Sequence, residues 1–569
     1  GGTRWAATVT DKGFLGRAVP LHAYRLGDRA ATLWLLQAAV ALVLAIACAN
    51  VANLMLISFH QRRRELSVRT ALGANRWQVV RPLLMESGLI SLIGGALGVI
   101  VAIAGIGVLR ASGLDGAANG FSAELDAQAL LFVVVCMLLT TISCGSAPAI
   151  SFGRPNSDRS MSMNDGGRGS QGSRPARRLR AALVVGQIAI SVALLAGGGL
   201  LLRSYLNLQA TDPGFQSARL VSVSGQLSSD RYAAPEQTRG FLDALLMHVR
   251  DLPGVASVGL VFSLPFSTDY GSAPYFIDGD EPGDGNARIG DIQTIDEHYF
   301  STMAMPLLKG RGFSPDDDAE APQVAIIDAE LARQAFGERD PIGERIATSN
   351  INGELLWRTV VGVVASIKQQ SLAQPSAVAT YYWPYRQSPT RIFRLVIKTD
   401  LPLTQLSATL REVMRKLDPE QPLYDLMSMD QRIDDSLQTQ RRPLQLVLLF
   451  AGLALTLAAI GIYAVLAFGV AQRRGEIGVR LSMGAQRRDI LSLILADGAR
   501  LVICGVALGL GIWLLLAKAV RSQLYSVSES DPLTAISVLV LTSVVALLAM
   551  WIPARRAAAT EAAVALRAQ

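Results

Sequence analysis

Seven apolar runs, at approximately 33–59, 87–109, 129–150, 181–202, 444–470, 499–519 and 533–552, alternate with polar stretches along the chain. A hydrocarbon core about 30 Å thick needs about 20 apolar residues per helix, so each run predicts a membrane span. Charged residues are nearly absent inside the runs, so each helix can satisfy its backbone internally without burying an ion. The pattern changes between the fourth and fifth runs. There, strand-like LVSVSGQL, helical PEQTRGFLDALLMHVRDLPG and strand-like VASVGLVF predict one β-α-β unit. RIFRLVIKT, LTQLSATLREVMRKLDP and PLYDLMSM predict another, and RIGDIQTI, QVAIIDAEL and RTVVGVVASIK supply further strands between them. The expected fold is an α-helical transmembrane bundle plus an α+β domain of two lobes, large enough to bury its own core.

Composition agrees with the pattern: 50% of the 569 residues are hydrophobic and 17% are charged, with a mean hydropathy of +0.33. The formal charge of +7 conceals a division, because 203–441 carries 22 Lys and Arg against 31 Asp and Glu, and the basic residues elsewhere crowd into short loops. Arg62, Arg63, Arg64, Arg69, Arg76 and Arg81 follow the first run, and Arg154 to Arg180 follow the third. Arg473, Arg474, Arg480, Arg487 and Arg488 follow the fifth, and Arg555, Arg556 and Arg567 follow the last. Every second loop is basic and therefore faces the cytosol, which leaves the acidic block outside. Positive charge set beside apolar spans is explained by membrane orientation, so nucleic acid is not the expected partner. Cys48, Cys136, Cys144 and Cys504 all fall in apolar runs, so the polar block has no disulfide framework.

The same alternation puts 1–32 outside without a signal peptide or initiator Met. The expectation is that a longer chain, with a first span and outer domain, precedes Gly1; insertion with the N-terminus outside is the rival. The stretch 151–180, rich in Gly, Ser, Asn and Arg, predicts a flexible cytosolic linker between two halves. Those halves repeat. QRRRELSVRTALGANRW from Gln61 returns as QRRGEIGVRLSMGAQRR from Gln472, 411 positions later, each time after the first run of a group of three. ELDAQAL and ESDPLTA precede the third runs of each group, at an offset of 405.

Glu65 and Arg69, and Glu476 and Arg480, are spaced four apart, an i,i+4 pairing that stabilises a helix by only about 0.2–0.5 kcal/mol. Gly73 and Gly484 stand where a left-handed C-terminal cap belongs, and Asn75 can cap the next helix better than Gln486 can. The picture is a short helix along the cytosolic surface, a Gly break and a re-entry helix. Anchoring by positive charge accounts for Arg62, Arg63, Arg473 and Arg474, but not for the Glu or the Gly-Ala at fixed spacing; a docking surface for a cytosolic protein accounts for both. Glu86 and Asp497, at matching starts of two runs, suit helix N-termini or a coupling pair.

RRRELSVRTALGA and RRGEIGVRLSMGA resemble the signature of the FtsX-like and MacB-like permeases, the membrane subunits of ABC systems that transmit mechanical work. GFQSARLVSVSGQL, HVRDLPGVASVGLVFSLP, YFSTMAMPLLKGRGF, FGERDPIGERI and VVGVVASIKQQSL resemble the MacB-like periplasmic core domain, and IACANVANLMLI and GQIAISVALLAGGGLLLRS are similar to the duplicated permeases of acidobacterial type. The sequence departs from that pattern in its missing first span and most of the first outer domain, and in Gly475, where the first copy has Arg64. The resemblance implies a bacterial inner-membrane protein whose surface helices contact a separate cytosolic ATPase through Glu65, Arg69, Gly73 and Ala74, and through Glu476, Arg480, Gly484 and Ala485. It also implies that ATP-driven closure moves the outer domain through the long helices bracketing it. The resulting partition is 1–32 as the end of a first periplasmic domain, 33–150 a first three-span unit, 151–180 the linker and 181–203 a span. The periplasmic core domain follows at 204–441, a second three-span unit at 442–553 and a cytosolic tail at 554–569.

Chemistry of the chain's own is not expected. No G-x-x-x-x-G-K-[ST], H-E-x-x-H, Cys-x-x-Cys or G-x-S-x-G occurs, so no catalytic, cofactor or metal residues are assigned. The four histidines are scattered, and Asp316 to Asp318 reads as a solvated acidic turn rather than a cation site. The leading expectation is a permease subunit that couples a separate ATPase to a periplasmic domain, working with the lipid bilayer and a periplasmic adaptor or effector. The alternative is an envelope scaffold that recruits a partner such as a cell-wall hydrolase, with a sensor third. Whether the two halves pair within one chain or between chains is left open.

Overall fold

The structure, a computed structural model, describes residues 29–61, 76–111, 125–152, 174–267, 271–279, 288–349, 354–374, 378–483, 486–520, 524–528 and 531–558. The helices are α1 Arg29–Gln61, α2 Arg76–Ala111, α3 Ala127–Phe152 and α4 Arg174–Gln209; α5 Pro235–Arg250, α6 Tyr299–Thr302, α7 Ala329–Phe336, α8 Leu403–Leu417 and α9 Met429–Ser436; then α10 Gln438–Gln472, α11 Arg474–Ser482, α12 Arg487–Val520 and α13 Pro532–Ala558. Two compact units meet in the sequence at Ser204/Tyr205 and Arg442/Pro443.

In the helical unit, α1, α2, α4, α10, α12 and α13 are long and apolar enough to cross a membrane; the described apolar stretch of α3, Ala127–Ser143, is shorter. The helices overrun the apolar windows at their arginine-bearing ends. α2 starts at Arg76 and α12 at Arg487, because intrahelical hydrogen bonds continue through charged turns that hydropathy excludes. Glu86 and Asp497 therefore lie about three turns inside their helices, too far from the N-termini for the dipole placement that the sequence suggested. Asp497 instead pairs with Arg473 at 3.0 Å and Arg500 at 3.9 Å.

α4 is the axis of the packing. Val184, Ile188, Val192, Ala196 and Leu200, four apart, form one buried stripe that joins Leu466, Ile477, Ile490, Trp513, Val538 and Met550 in a single cluster. Of the most apolar 18-residue window, 61% is buried in α4 and none in α2, so α2 lies at the margin of the unit.

The other unit is built on β1 Leu220–Gln226, β2 Val255–Val261, β3 Ser272–Ile277, β4 Arg288–Ile295, β5 Leu307–Gly310, β6 Val324–Asp328, β7 Arg345–Ser349, β8 Leu355–Val364, β9 Thr380–Pro384, β10 Ile392–Thr399 and β11 Leu423–Ser428. The sheet runs β11-β1-β10-β2-β4-β3-β7-β8-β6-β9, with β5 on β8. The two expected β-α-β units interleave: β10 lies between β1 and β2, antiparallel to both. Their helices α5 and α8 share one core with the strands, through Leu242, Leu245, Leu406 and Leu410. A second core gathers Tyr275, Ile327, Leu331, Phe336, Val360 and Tyr381. β2 and β4 connect the two lobes through the pair Val261–Ile295. QVAIIDAEL is not one strand. It divides at Asp328, whose Oδ1 caps α7 by accepting the Leu331 N–H at 2.8 Å and also accepts the Thr380 N–H at 3.0 Å.

Candidate coupling site

α10 ends at Gln472, and α11 begins two residues later. Arg473, between them, donates to Asp497 on α12 and so ties the turn to the re-entering helix. Ile477 is the anchor of α11. It is buried in the same cluster as the α4 stripe, which fixes the helix's inner face. Glu476 and Arg480 project from the other side, joined by a 2.7 Å ion pair and each about half exposed. The apolar side chains of Val479 and Met483 share that open side, Met483 being 82% exposed. Two charges and two exposed apolar side chains thus alternate along the open side of this turn.

Gln486 is not left a poor cap. Asp489 reaches back and accepts its backbone N–H at 2.9 Å, one half of a capping box that starts α12. The signal was present in the sequence, three residues downstream of the position tested for a cap. Glu65, Arg69, Gly73, Ala74 and Asn75, and Gly484 and Ala485 of the second copy, lie outside the described residues.

Among the described residues, contacts join repeat to repeat. Positions 50 and 461, 411 apart, face one another: Asn50 Nδ2 donates to the Leu457 carbonyl at 2.8 Å, and a Cβ on Gly461 would lie 2.9 Å from Asn50 Oδ1. Ala39 and Ile46 of α1 and Ala451 and Ala454 of α10 share a cluster around this point. At the other ends of the spans, the matched aspartates each cap a helix. Asp126 accepts the Ala129 N–H at 2.8 Å, and Asp531 accepts the Thr534 N–H at 2.9 Å and its hydroxyl at 2.6 Å. Asp531 also pairs with Arg203 of α4, a partner the sequence did not suggest.

The carboxylate clusters of the sheet unit are organised around arginines. Asp296, Glu297 and His298 lie close enough together to hold an ion, but Arg250 Nη2 sits 2.6 Å from Asp296 Oδ2 and 2.9 Å from His298 Nδ1. Burial pushes the Asp296 carboxyl up to about 7, against the Leu260 N–H and Arg250 that favour its charge. The acidic turn 316–318 is less solvated than expected at its centre. Asp317 is buried and takes a two-point contact from Arg311, at 2.7 and 2.8 Å, plus the Ser314 N–H. Burial alone would raise its pKa, and these donors together hold it below the usual carboxylate range.

Residues 38–156 and 448–562 match the FtsX-like permease C-terminal family, and 181–413 match the MacB-like periplasmic core domain. Among similar proteins is the macrolide export ATP-binding/permease protein MacB of Escherichia coli K12, 28% identical over 275 residues, which are 46% of this chain and 40% of that protein. MacB of Bdellovibrio bacteriovorus is 27% identical over 231 residues, 39% of this chain and 35% of its own. The pyoverdine export ATP-binding/permease protein PvdT of Pseudomonas syringae pv. tomato is 26% identical over 306 residues, 50% and 45% respectively. The chain thus spans less than half the length of each of these relatives. A solved structure, the periplasmic region of MacB from Actinobacillus actinomycetemcomitans, aligns at a TM-score of 0.28 and 17% identity over 40% of this chain and 94% of that one.

Proposed function

Because this chain belongs to the FtsX/MacB-type ABC permeases, multi-pass proteins of the inner membrane with a periplasmic domain, we propose that it works in export by transmitting force from a separate cytosolic ATPase. The observation that carries this reading is α11. Its outer face offers Glu476, Val479, Arg480 and Met483, while Ile477 locks its inner face into the cluster lined by α4. A push on α11 would therefore reach α4, and α4 and α10 are single helices that run through both unit boundaries. Force on the ATPase side would pass along them to the periplasmic domain without a pore for the cargo.

The coupling residues are Glu476, Arg480, Gly484 and Ala485 in the second copy and Glu65, Arg69, Gly73 and Ala74 in the first. The test is co-purification of the ATPase with the full chain carrying Glu65→Arg and Glu476→Arg. Association should fall at least several-fold in the double variant; undiminished association rejects the docking role.

The two halves pair within one polypeptide in this proposal. An isologous contact brings equivalent positions together at its axis, and the meeting of Asn50 with Gly461 supports that arrangement. With native cysteines replaced, Ile46→Cys with Ala454→Cys should oxidise to a species of monomer mass. A product of dimer mass would place the two halves in different chains.

A further inference from the structure

The interior of the helical unit is not uniformly apolar. Asn50 and Asn53 on α1 and Gln187 and Ser191 on α4 are all at least nine-tenths buried, and Asn50 and Gln187 lie against Gly461 of α10. Two direct hydrogen bonds use part of their capacity: Asn50 to the Leu457 carbonyl, and Gln187 Nε2 to the Ile46 carbonyl at 3.5 Å. Among the described residues, Gln187 Oε1, both amide atoms of Asn53 and Ser191 Oγ meet no partner. Within a membrane such groups find no lipid donor or acceptor, and each costs several kcal/mol if unsatisfied. Leu or Ala would fill the same positions without that cost.

The geometry at Gly461 adds direction. A Cβ there would lie 2.2 Å from Gln187 Oε1 and 2.9 Å from Asn50 Oδ1, so two acceptor oxygens converge from different helices on one stretch of α10 backbone. Of these two acceptors Gln187 Oε1 lacks a donor among the described residues, and Asn53, one turn along α1, has an unused donor and an unused acceptor.

We propose that this node is a hydrated site: ordered water donates to Gln187 Oε1 and Asn50 Oδ1 and exchanges hydrogen bonds with Asn53 and Ser191, where the two halves of the chain meet. Water is the ligand whose size and two-to-four hydrogen bonds match such a set. A metal or ammonium ion fits less well, because all the ligating groups named are neutral and no carboxylate among them would offset a buried charge. Water-bridged contacts trade partners readily, so a hydrated node gives α1 and α10 a joint that can shift as force passes along the helices. The placement of the node between halves of one chain rests on the intrachain pairing proposed above, but its hydration does not.

X-ray hydroxyl-radical footprinting of the full chain in lipid nanodiscs tests the proposal, because radicals form from bound water in place. Ile46→Met puts a reactive reporter at a fully buried position beside the node, and native Met550, 3% exposed, is the dry control. The reporter should oxidise about fivefold or more faster than Met550, and Asn53→Leu with Ser191→Ala should remove the excess. If Ile46→Met fails to fold, Leu194→Met reports from the α4 side of the same cluster. A reporter no faster than Met550 overturns the proposal, as does an excess present in potassium buffer but suppressed by sodium, which would identify a cation site. The footprint reports water whether one polypeptide or two build the node, whereas the disulfide experiment reports only the pairing, so the two failures are distinguishable.

Discussion

α2 and α12 are the same helix written twice and used differently. Gly94 and Gly98 of α2 recur as Gly505 and Gly509 of α12 at the 411-residue offset. On α12 they let α4 come close: a Cβ at Gly505 would sit 2.6 Å from the Ile188 Cβ, and one at Gly509 2.7 Å from both the Ala189 carbonyl oxygen and the Val192 Cβ. On α2, among the described residues, nothing approaches either position within 4 Å. A small-x-x-x-small pair is therefore only a permission for close helix packing, and whether it stabilises depends on the helix that uses it.

The comparison predicts opposite signs for one substitution. Gly509→Ala forces a methyl group onto a neighbouring backbone oxygen and should destabilise by about 1–3 kcal/mol. Gly98→Ala meets open space and should be neutral or stabilising by up to about 1 kcal/mol, since Ala is the better helix former. Thermal unfolding of the full chain in detergent reads both. Equal shifts in the same direction would show that the two copies share one environment.

The caps sharpen the contrast on a smaller scale. Asp126→Ala removes a cap alone and should cost about 1 kcal/mol. Asp531→Ala removes a cap, a hydroxyl contact and the Arg203 pair, and should cost about twice that, discounted because Arg203 is 37% exposed. Burial alone would raise the Asp531 pKa, but Thr534 and Arg203 together hold it below the usual carboxylate range. With the folded value depressed, its contribution is present above the ordinary carboxylate pKa of about 4 and is lost as pH falls through the folded value. Acid titration of unfolding should thus lose a component in Asp531→Asn that Asp126→Asn retains.

These contrasts mark how far the sequence could be read. The apolar windows located the long helices because burial in lipid is written in composition, and the period-two runs located β1, β2, β4, β6, β8, β10 and β11. Four strands escaped. β5 (LLKG) and β7 (RIATS) are too short to show a period, and β3 and β9 contain Pro274 and Pro384, which argue against a strand until the pairing is known. The twin motifs were visible as a repeat, but which glycines touch a neighbour was not, since identical residues at a fixed offset carry no record of what packs on them. Asn50 illustrates the limit. Its counterpart is Gly461, so an alignment of the copies shows a mismatch, whereas in the bundle the pair is an interlock, one copy supplying the side chain and the other the room.

The smallest expected effect on stability is the one that best separates structure from coupling in α11. Glu476 and Arg480 are each about half exposed and four apart on one helix. Such a pair contributes at most about 0.5 kcal/mol, because water and salt screen it and holding two long side chains in register costs entropy. Arg480→Ala should therefore leave the unfolding midpoint of the full chain nearly unchanged while weakening ATPase association, since it removes a charge from the exposed face and leaves Ile477 seated. Ile477→Ala should do the reverse in degree, costing about 2–5 kcal/mol through the cavity it opens beneath the helix. If Arg480→Ala lowers the midpoint as much as Ile477→Ala does, the ion pair is part of the bundle's own packing, and the outer face of α11 loses its standing as a surface kept free for a partner.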